Sequence, residues 1–145
     1  MAAGNSSFFA SKAFAVVGAS ANKAKYGNKV LCWYLDKGLP VTPVNPTAHE
    51  IEGLPCVKSL AELCSDANDA PAKMRQTSVS VIMPPHVSEQ ILRQAAALGI
   101  GHLWFQPGSE PDRLNALATE LGVSVTGGGP CILVHGQSLL DQARL

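Results

Sequence analysis

The fold is decided by residues 13–27, which read AFAVVGASANKAKYG. Ala13–Val17 is a continuous apolar run that stops at Gly18, a pattern typical of a strand buried in a parallel sheet. The residues from Gly18 to Gly27 are mostly small, polar or basic and predict a loop. Apolar residues in helical spacing follow between Asn28 and Lys37, so this stretch predicts a strand, a loop and a helix in succession.

The same alternation continues along the chain. Further strands are predicted at 41–44, 77–83, 102–105 and 123–126, with helices starting at 60, at 88–98 and from 111 to 121. Strands that alternate with helices indicate an α/β fold. We therefore predict a Rossmann-like, doubly wound, mainly parallel five-stranded sheet with helices on both faces. Pro43, inside the second strand, places that strand at an edge of the sheet because proline donates no ladder hydrogen bond.

The chain is predicted to hold one domain. Its 145 residues suit a single domain spanning 13–145, preceded by a loose arm at 1–12. The polar stretch Ser65–Gln76, which carries Pro71, predicts an exposed loop. After the last strand, Ile132–Val134 is expected to extend the structure into a short tail.

Composition narrows the range of partners. Eleven basic residues balance eleven acidic ones, so nucleic acid is not expected as a partner. No apolar run is long enough to cross a bilayer, and residues 1–12 lack the pattern of a secretory signal. The four cysteines form no C-x-x-C pair, which favours reduced thiols in a cytoplasmic protein. Charged residues make up only 15%, which favours a surface covered by a ligand or by a second copy in a homodimer.

A ligand is expected at the carboxyl ends of the strands, where open α/β sheets bind their ligands. The predicted loop at each of these ends contains glycine or proline. The loop after the first strand suits a phosphate: Gly18 permits a tight turn, Ser20 offers a hydroxyl, and Lys23 and Lys25 add positive charge. The following helix directs free N–H groups and the positive end of its dipole toward this loop.

The usual dinucleotide fingerprint is incomplete. It requires G-x-G-x-x-G and an acidic residue at the end of the second strand. Here Gly18 is followed by no glycine before Gly27, and Asn45 stands where the acidic residue belongs. Both departures disfavour ordinary NAD binding and favour another phosphate-bearing nucleotide.

Several short motifs, taken in order, resemble a known family. They are Val17-Gly-Ala-Ser20, Tyr26-Gly27, Val44-Asn-Pro46, Met83-Pro-Pro85, Leu103-Trp-Phe-Gln-Pro-Gly108 and Gly129-Pro-Cys131. Together they resemble the CoA-binding-domain family, small stand-alone relatives of the nucleotide-binding domain of the succinyl-CoA synthetase α subunit. The resemblance implies a Rossmann-like fold that binds coenzyme A or acyl-CoA without ligase chemistry, so no catalytic residue is expected. The family's late motif reads Cys-Pro, whereas this chain has Pro130-Cys131.

The strand ends and the resemblance together imply a set of cofactor contacts. These are Gly18, Ala19, Ser20, Asn22, Lys23, Lys25, Tyr26, Asn45, Pro46, Met83, Pro84, Pro85, Gln106 and Pro107. No metal site is expected, because the histidines and cysteines lack a ligand spacing. An NAD(P)-binding oxidoreductase-like protein and a regulatory protein using the same pocket remain alternatives. Roles for Cys131 and His86, both near the strand ends, stay open.

Overall fold

The computed structural model describes residues 7–64 and 68–144. Its strands are β1 (Ala13–Val17), β2 (Val41–Val44), β3 (Glu50–Ile51), β4 (Leu54–Pro55), β5 (Thr77–Val81), β6 (His102–Phe105) and β7 (Ser124–Thr126). Five of them form a parallel sheet in the order β2-β1-β5-β6-β7, and β3 pairs with β4 in a small antiparallel hairpin. The predicted α/β class with a five-stranded parallel sheet is confirmed.

Helices cover both faces of the sheet, as predicted. They are α1 (Tyr26–Asp36), α2 (Ala70–Arg75), α3 (Pro85–Leu98), α4 (Leu114–Leu121) and α5 (Ile132–Ala143), with a single 3-10 turn at Leu60–Glu62. Along β1, Phe14 and Val16 pack on the face covered by α1 and α5, whereas Ala15 and Val17 pack on the face covered by α2, α3 and α4. This two-residue alternation explains why the strand is apolar throughout.

Pro43 lies on an edge strand, as its chemistry requires. β2 is the outermost strand on its side of the sheet and pairs only with β1 among the five parallel strands. On its outer side, the Pro43 carbonyl accepts a hydrogen bond from the N–H of Val57 at 3.1 Å. The N–H of Asn45 then donates to the Val57 carbonyl at 2.9 Å. This short bridge brings residues 57–60 beside the carboxyl end of β2.

Two helices were not predicted, each for an identifiable reason. Pro71 looks like a helix breaker, but it stands in the first turn of α2, where proline is tolerated, and the Asp69 carboxylate caps the N–H of Ala72. Gly136 interrupts the apolar pattern of α5. A Cβ at this glycine would lie 2.5 Å from Cζ2 of Trp33, so glycine lets α1 and α5 approach closely.

The predicted loose arm at 1–12 is wrong for the part that the structure describes, which begins at Ser7. Phe8 is fully buried, and its ring meets the ring of Trp104 edge-on at 5.4 Å. The Phe8 carbonyl accepts a hydrogen bond from the Ser78 hydroxyl at 2.8 Å. Aromatic burial of this kind attaches residues 7–12 to the domain. Residues 1–6 of the predicted arm lie outside the described residues.

His102 makes the stability of the fold sensitive to acid. Its ring is buried against Phe8 and bonded to the Thr126 hydroxyl at 2.9 Å, and burial lowers its pKa from 6.5 to about 4. In the unfolded chain, His102 therefore binds a proton as the pH falls below 6.5. In the folded chain, it binds this proton only near pH 4. We expect the free energy of unfolding to fall by roughly 2–3 kcal/mol across this window. Urea titrations at pH 7, 5.5 and 4.5 measure the loss, and His102→Gln should flatten it; an equally steep loss in this variant would assign the effect elsewhere.

Candidate functional site

The strand order creates one switch point in the sheet. From β1 the chain crosses to β2 on one side and then returns to β5 on the other. Ligands of doubly wound sheets bind outside the carboxyl ends of the strands at such a point. A cavity of about 350 Å³ opens here, between the ends of β1, β2 and β5 and helix α3. Its volume lies within the range of small-molecule pockets, roughly 300–1,000 Å³.

Five of the residues expected from the sequence line this cavity. They come from the ends of three different strands and are Gly18, Ala19, Asn45, Pro46 and Met83. Because parallel strands end at the same edge of a sheet, residues far apart in the chain meet here.

Gly18 and Gly27 allow the strand, the loop and the helix to pack closely. Gly18 has a φ of +96°, and a Cβ there would lie 2.0 Å from the carbonyl oxygen of Ile82, just beyond β5. A Cβ on Gly27 would lie 2.0 Å from the Gly18 carbonyl oxygen. Neither approach is possible for another residue without movement of the backbone. Gly18 therefore shapes the floor of the cavity, and Gly27 lets the start of α1 pack against the Gly18 backbone.

Asn45 forms part of the cavity wall through its own hydrogen bonds. Its Nδ2 donates to the Ala19 carbonyl at 3.0 Å, which ties the loop after β1 to the loop after β2. Its Oδ1 accepts the N–H groups of Thr47 and Ala48, both at 2.9 Å. The amide is thus occupied on both sides, and Asn45 positions the two loops.

Met83 is held in the cavity through its backbone. Its N–H donates to the Ser109 hydroxyl at 3.2 Å, and its carbonyl accepts from the Ser88 hydroxyl at 3.2 Å. Ser109 and Ser88 are both buried. Met83 therefore lines the cavity from a fixed main chain.

The loop from Ser20 to Lys25 is largely satisfied by its own hydrogen bonds. The Ser20 hydroxyl accepts the N–H of Asn22 at 3.1 Å, and the Asn22 side chain accepts the N–H of Ala24 at 3.0 Å. Asn22, Lys23 and Lys25 are exposed, and none of them lines the cavity. Two residues expected to bind phosphate, Ser20 and Lys23, are thus engaged within the protein.

Lys23 is paired with a carboxylate of the β3–β4 hairpin. Its Nζ lies 2.8 Å from Oε2 of Glu52, and the same oxygen accepts a hydrogen bond from the buried Asn28 side chain at 2.9 Å. Hydrogen bonds from Asn28 and Lys23 hold the pKa of Glu52 below its usual value, and the pairing raises the pKa of Lys23. Asn28 also donates to the Ser20 carbonyl at 2.9 Å. The loop is therefore fastened to the hairpin by this small polar network.

Tyr26 and Gln106 meet in a second cluster, at the carboxyl end of β6. The Tyr26 hydroxyl donates to Oε1 of Gln106 at 3.3 Å and also contacts the Cys131 sulfur. Pro84, Pro85 and Pro107 are exposed where β5 and β6 end. The predicted residues thus divide between the cavity, the loop after β1, these prolines and the cluster of Tyr26, Gln106 and Cys131.

Besides Val17 and Val44, at the ends of their strands, five further cavity residues were not predicted. Two come from helix α3 and three from the segment after the hairpin: Ile91, Gln94, Lys58, Ser59 and Leu60. Lys58 brings an exposed cation to the cavity. Nothing in the sequence around Lys58 marks it as a site residue. It reaches the cavity because the preceding residue, Val57, pairs with Val44 of β2. Ile91 and Gln94 are three residues apart, a helical spacing, but the sequence alone did not say which face of α3 overlooks the strand ends.

A second cavity, of about 500 Å³, lies beside the amino ends of β1 and β5 and is lined by Lys12, Ala13 and Thr77 among others. It is the larger of the two, but open α/β sheets bind ligands at the opposite edge. We therefore assign the candidate site to the smaller cavity.

The comparison with protein families agrees with this geometry. A family model described as a CoA binding domain matches residues 12–137. The chain belongs to the CoA binding domain family. The match covers every strand of the parallel sheet and reaches the middle of α5. Membership indicates a small-molecule ligand of the CoA or nucleotide class for this CoA binding domain. No curated protein matches the chain.

Solved structures share the fold of this CoA binding domain. A conserved hypothetical protein from Pyrococcus furiosus is 40% identical, with 86% of this chain and 98% of that chain covered and a TM-score of 0.72. The protein ID.343 from Thermus thermophilus is 26% identical, with 92% of this chain and 94% of that chain covered and a TM-score of 0.74. Acetyl-coenzyme A synthetase 1 of Ca. Korarchaeum cryptofilum, solved with phosphate and ADP, is 25% identical over 80% of this chain and 25% of its own, with a TM-score of 0.65.

None of the helices in 7–64 and 68–144 is both long enough and apolar enough to cross a membrane.

Proposed function

We propose that this CoA binding domain binds coenzyme A or an acyl-CoA, with the nucleotide end of the cofactor in the cavity between the ends of β1, β2 and β5. The observation that carries the proposal is the cavity itself, which lies at the switch point of the sheet and is lined by Gly18, Asn45 and Met83. The family match supplies the ligand class. The similar acetyl-coenzyme A synthetase domain, solved with phosphate and ADP, is consistent with a phosphate-bearing nucleotide.

The lining of the cavity suits an adenine ring beside a phosphate. Val17, Val44, Leu60 and Ile91 contribute apolar surface, on which a flat base is removed from water. Lys58 adds a positive charge at the same cavity, which favours the phosphate groups of CoA. The ribose of NAD normally pairs with a carboxylate at the end of the second strand. Asn45 stands at this position, has no charge, and uses its amide to join the loops after β1 and β2.

Isothermal titration calorimetry of the full chain tests this function. CoA, acetyl-CoA, dephospho-CoA and NADPH are titrated separately, and we expect saturable 1:1 binding of CoA and acetyl-CoA. Thermal melting provides a second readout, since a ligand at 100 times its dissociation constant stabilises the folded state by about 2.7 kcal/mol. If NADPH binds tightly and CoA does not bind, the CoA proposal is wrong and the NAD(P)-binding alternative is favoured. Absence of binding by all four ligands would refute it.

Lys58 supplies a sharper test of the electrostatics. Lys58→Glu replaces a cation at the cavity with an anion, and we expect it to weaken CoA binding by about 10-fold, or about 1.4 kcal/mol. The matched control is Lys12→Glu, which makes the same change of charge at an exposed position just before β1, at the opposite edge of the sheet. Calorimetry on both variants at low and physiological salt separates a local contact from net charge. Equal losses in the two variants would remove Lys58 from the proposed site.

A further inference from the structure

Three side chains from separate elements converge at the carboxyl end of β6. Cys131 immediately precedes α5, Tyr26 begins α1, and Gln106 follows β6. The Cys131 sulfur contacts the Tyr26 hydroxyl, which also lies 3.3 Å from Oε1 of Gln106. The same Oε1 accepts the N–H of Ile132, in the first turn of α5, at 2.9 Å. A thiol is thus placed beside a hydroxyl donor at the amino end of a twelve-residue helix.

The Gln106 amide points independently to a ligand at this cluster. The residue is fully buried, and its Nε2 has no hydrogen-bond partner among the described residues. An unpaired buried amide is costly, by about 1–3 kcal/mol, and is uncommon in folded proteins. Nε2 is bonded to the same carbon as Oε1, which accepts from Tyr26 and Ile132, so the unpaired N–H group lies beside the cluster. A ligand that enters past Tyr26 and Cys131, both only partly buried, and carries an amide carbonyl would satisfy it. The pantetheine arm of CoA contains two such carbonyls.

The cluster lies within reach of a cofactor bound at the cavity. In the strand order, β6 stands two positions from β1, which corresponds to about 10 Å across the sheet edge. An extended pantetheine arm spans that distance. If the nucleotide end occupies the cavity beside β1, as proposed above, the arm crosses the end of β5 and brings its sulfur to the end of β6.

We propose that Cys131 is a thiol–disulfide exchange site specific for CoA disulfides. The thiol of Cys131 gives up its proton, and its sulfur attacks one sulfur of a CoA disulfide. The S–S bond of that disulfide breaks, a Cys131–CoA mixed disulfide forms, and the departing CoA sulfur takes up a proton to leave as CoA thiol. The oxidising equivalent comes entirely from the CoA disulfide, so no other oxidant is needed. This inference rests on the proposed function and adds a covalent step to it.

The surroundings of Cys131 favour this chemistry over the thiols of Cys32 and Cys56. The positive end of the α5 dipole stabilises negative charge on the attacking sulfur. The Tyr26 hydroxyl donates its single proton to Gln106 while Cys131 is a thiol, and it turns that proton to the sulfur once the thiol is deprotonated. Burial is the larger cause that raises the pKa of Tyr26, and the contact with Cys131 is the smaller one. The Tyr26 hydroxyl therefore stays protonated and acts as a hydrogen-bond donor. Burial also raises the pKa of the Cys32 and Cys56 thiols, which makes them poorer nucleophiles at neutral pH.

Intact-mass spectrometry of the reduced full chain tests the inference. The chain is mixed with CoA disulfide and, in parallel, with glutathione disulfide at the same concentration. We expect one CoA adduct that dithiothreitol removes and that forms roughly 10-fold faster than the glutathione adduct, because the nucleotide holds the reacting sulfur in place. Cys131→Ser should abolish the CoA adduct, whereas Cys32→Ser, Cys56→Ser and Cys64→Ser should retain it. Tyr26→Phe should slow the reaction with both disulfides.

Two results overturn the inference in distinguishable ways. If calorimetry detects CoA binding but the adduct is missing, or is spread over several cysteines, the exchange site fails and the proposed function stands. If calorimetry detects no binding of CoA and both disulfides react at the same rate, the proposed function fails and the specificity of Cys131 fails with it.

Discussion

Gln94→Trp is expected to weaken CoA binding by about 100-fold, or about 2.7 kcal/mol, while leaving the domain folded. Gln94 lies on α3, lines the cavity and is only partly buried. An indole at this position extends into a space of about 350 Å³ and removes the volume that the adenine ring needs. The helix itself tolerates the change, because a partly exposed tryptophan disturbs neither the apolar face of α3 nor its ends. Calorimetry with CoA measures the affinity, and circular dichroism with thermal melting checks the fold.

The matched control for this variant is Gln142→Trp. Gln142 is an exposed glutamine on α5, which covers the opposite face of the sheet, so the same substitution there should leave CoA affinity within about 2-fold. A Gln94→Trp chain that melts normally and binds CoA as tightly as the parent would place the nucleotide outside the cavity.

Gly18→Ala is expected to lower the free energy of unfolding by at least about 4 kcal/mol. Two effects add at this position. A φ of +96° is unfavourable for a residue with a side chain, by about 1–2 kcal/mol. The added Cβ would also lie 2.0 Å from the Ile82 carbonyl oxygen, and backbone on both sides must move to relieve the contact. The close approach of Gly18 to the end of β5 is lost, and the floor of the cavity is lost with it.

Gly99→Ala separates the two effects. Gly99 ends α3 with a φ of +80°, but a Cβ there meets nothing within 4 Å, so only the backbone term of about 1–2 kcal/mol applies. Urea denaturation of both variants measures the difference. Equal losses of stability would show that the contact between Gly18 and Ile82 is not tight in solution and that the cavity floor is loosely packed.

The sheet was predictable because each of its strands carries a local pattern. The apolar run at Ala13–Val17 and the buried run at His102–Phe105 coincide with β1 and β6 as observed. Pro43 fixed the edge position of β2 through a property of a single residue, its missing N–H. Gly99 and Gly122 lie directly after α3 and α4, and Gly38 lies two residues after the end of α1, where helices commonly stop. These are all short-range effects, and short-range effects can be read along the chain.

The elements that were missed depend on long-range packing. Phe8 becomes part of the core only because Trp104 and Phe14 lie beneath it. Gly136 is compatible with a helix because Trp33 occupies the space that a side chain would fill. Neither partner can be identified from the local sequence, so the arm was expected to be loose and the last helix was expected to be a short tail.

The candidate site divides in the same way. Gly18, Ala19, Asn45, Pro46 and Met83 follow strands directly, and the rule that parallel strands end at one edge brought them together. Lys58 reaches the cavity only through the bridge between Val57 and Val44, and Gln94 only through the rotation of α3 on the sheet. The engagement of Lys23 by Glu52 depends on a hairpin that the sequence did not reveal. The order of elements along the chain thus predicts which edge of the sheet holds the site. It does not predict which charged side chains at that edge are free of partners within the protein and can contact a ligand.

The most direct measurement is a crystal structure of the full chain grown with CoA. We predict density for the adenine ring between the end of β2 and α3, with a phosphate near Lys58 and the pantetheine arm running across the end of β5 toward Cys131. Density for the nucleotide in the cavity beside the amino ends of β1 and β5, or on the outer surface of the helices, would contradict it.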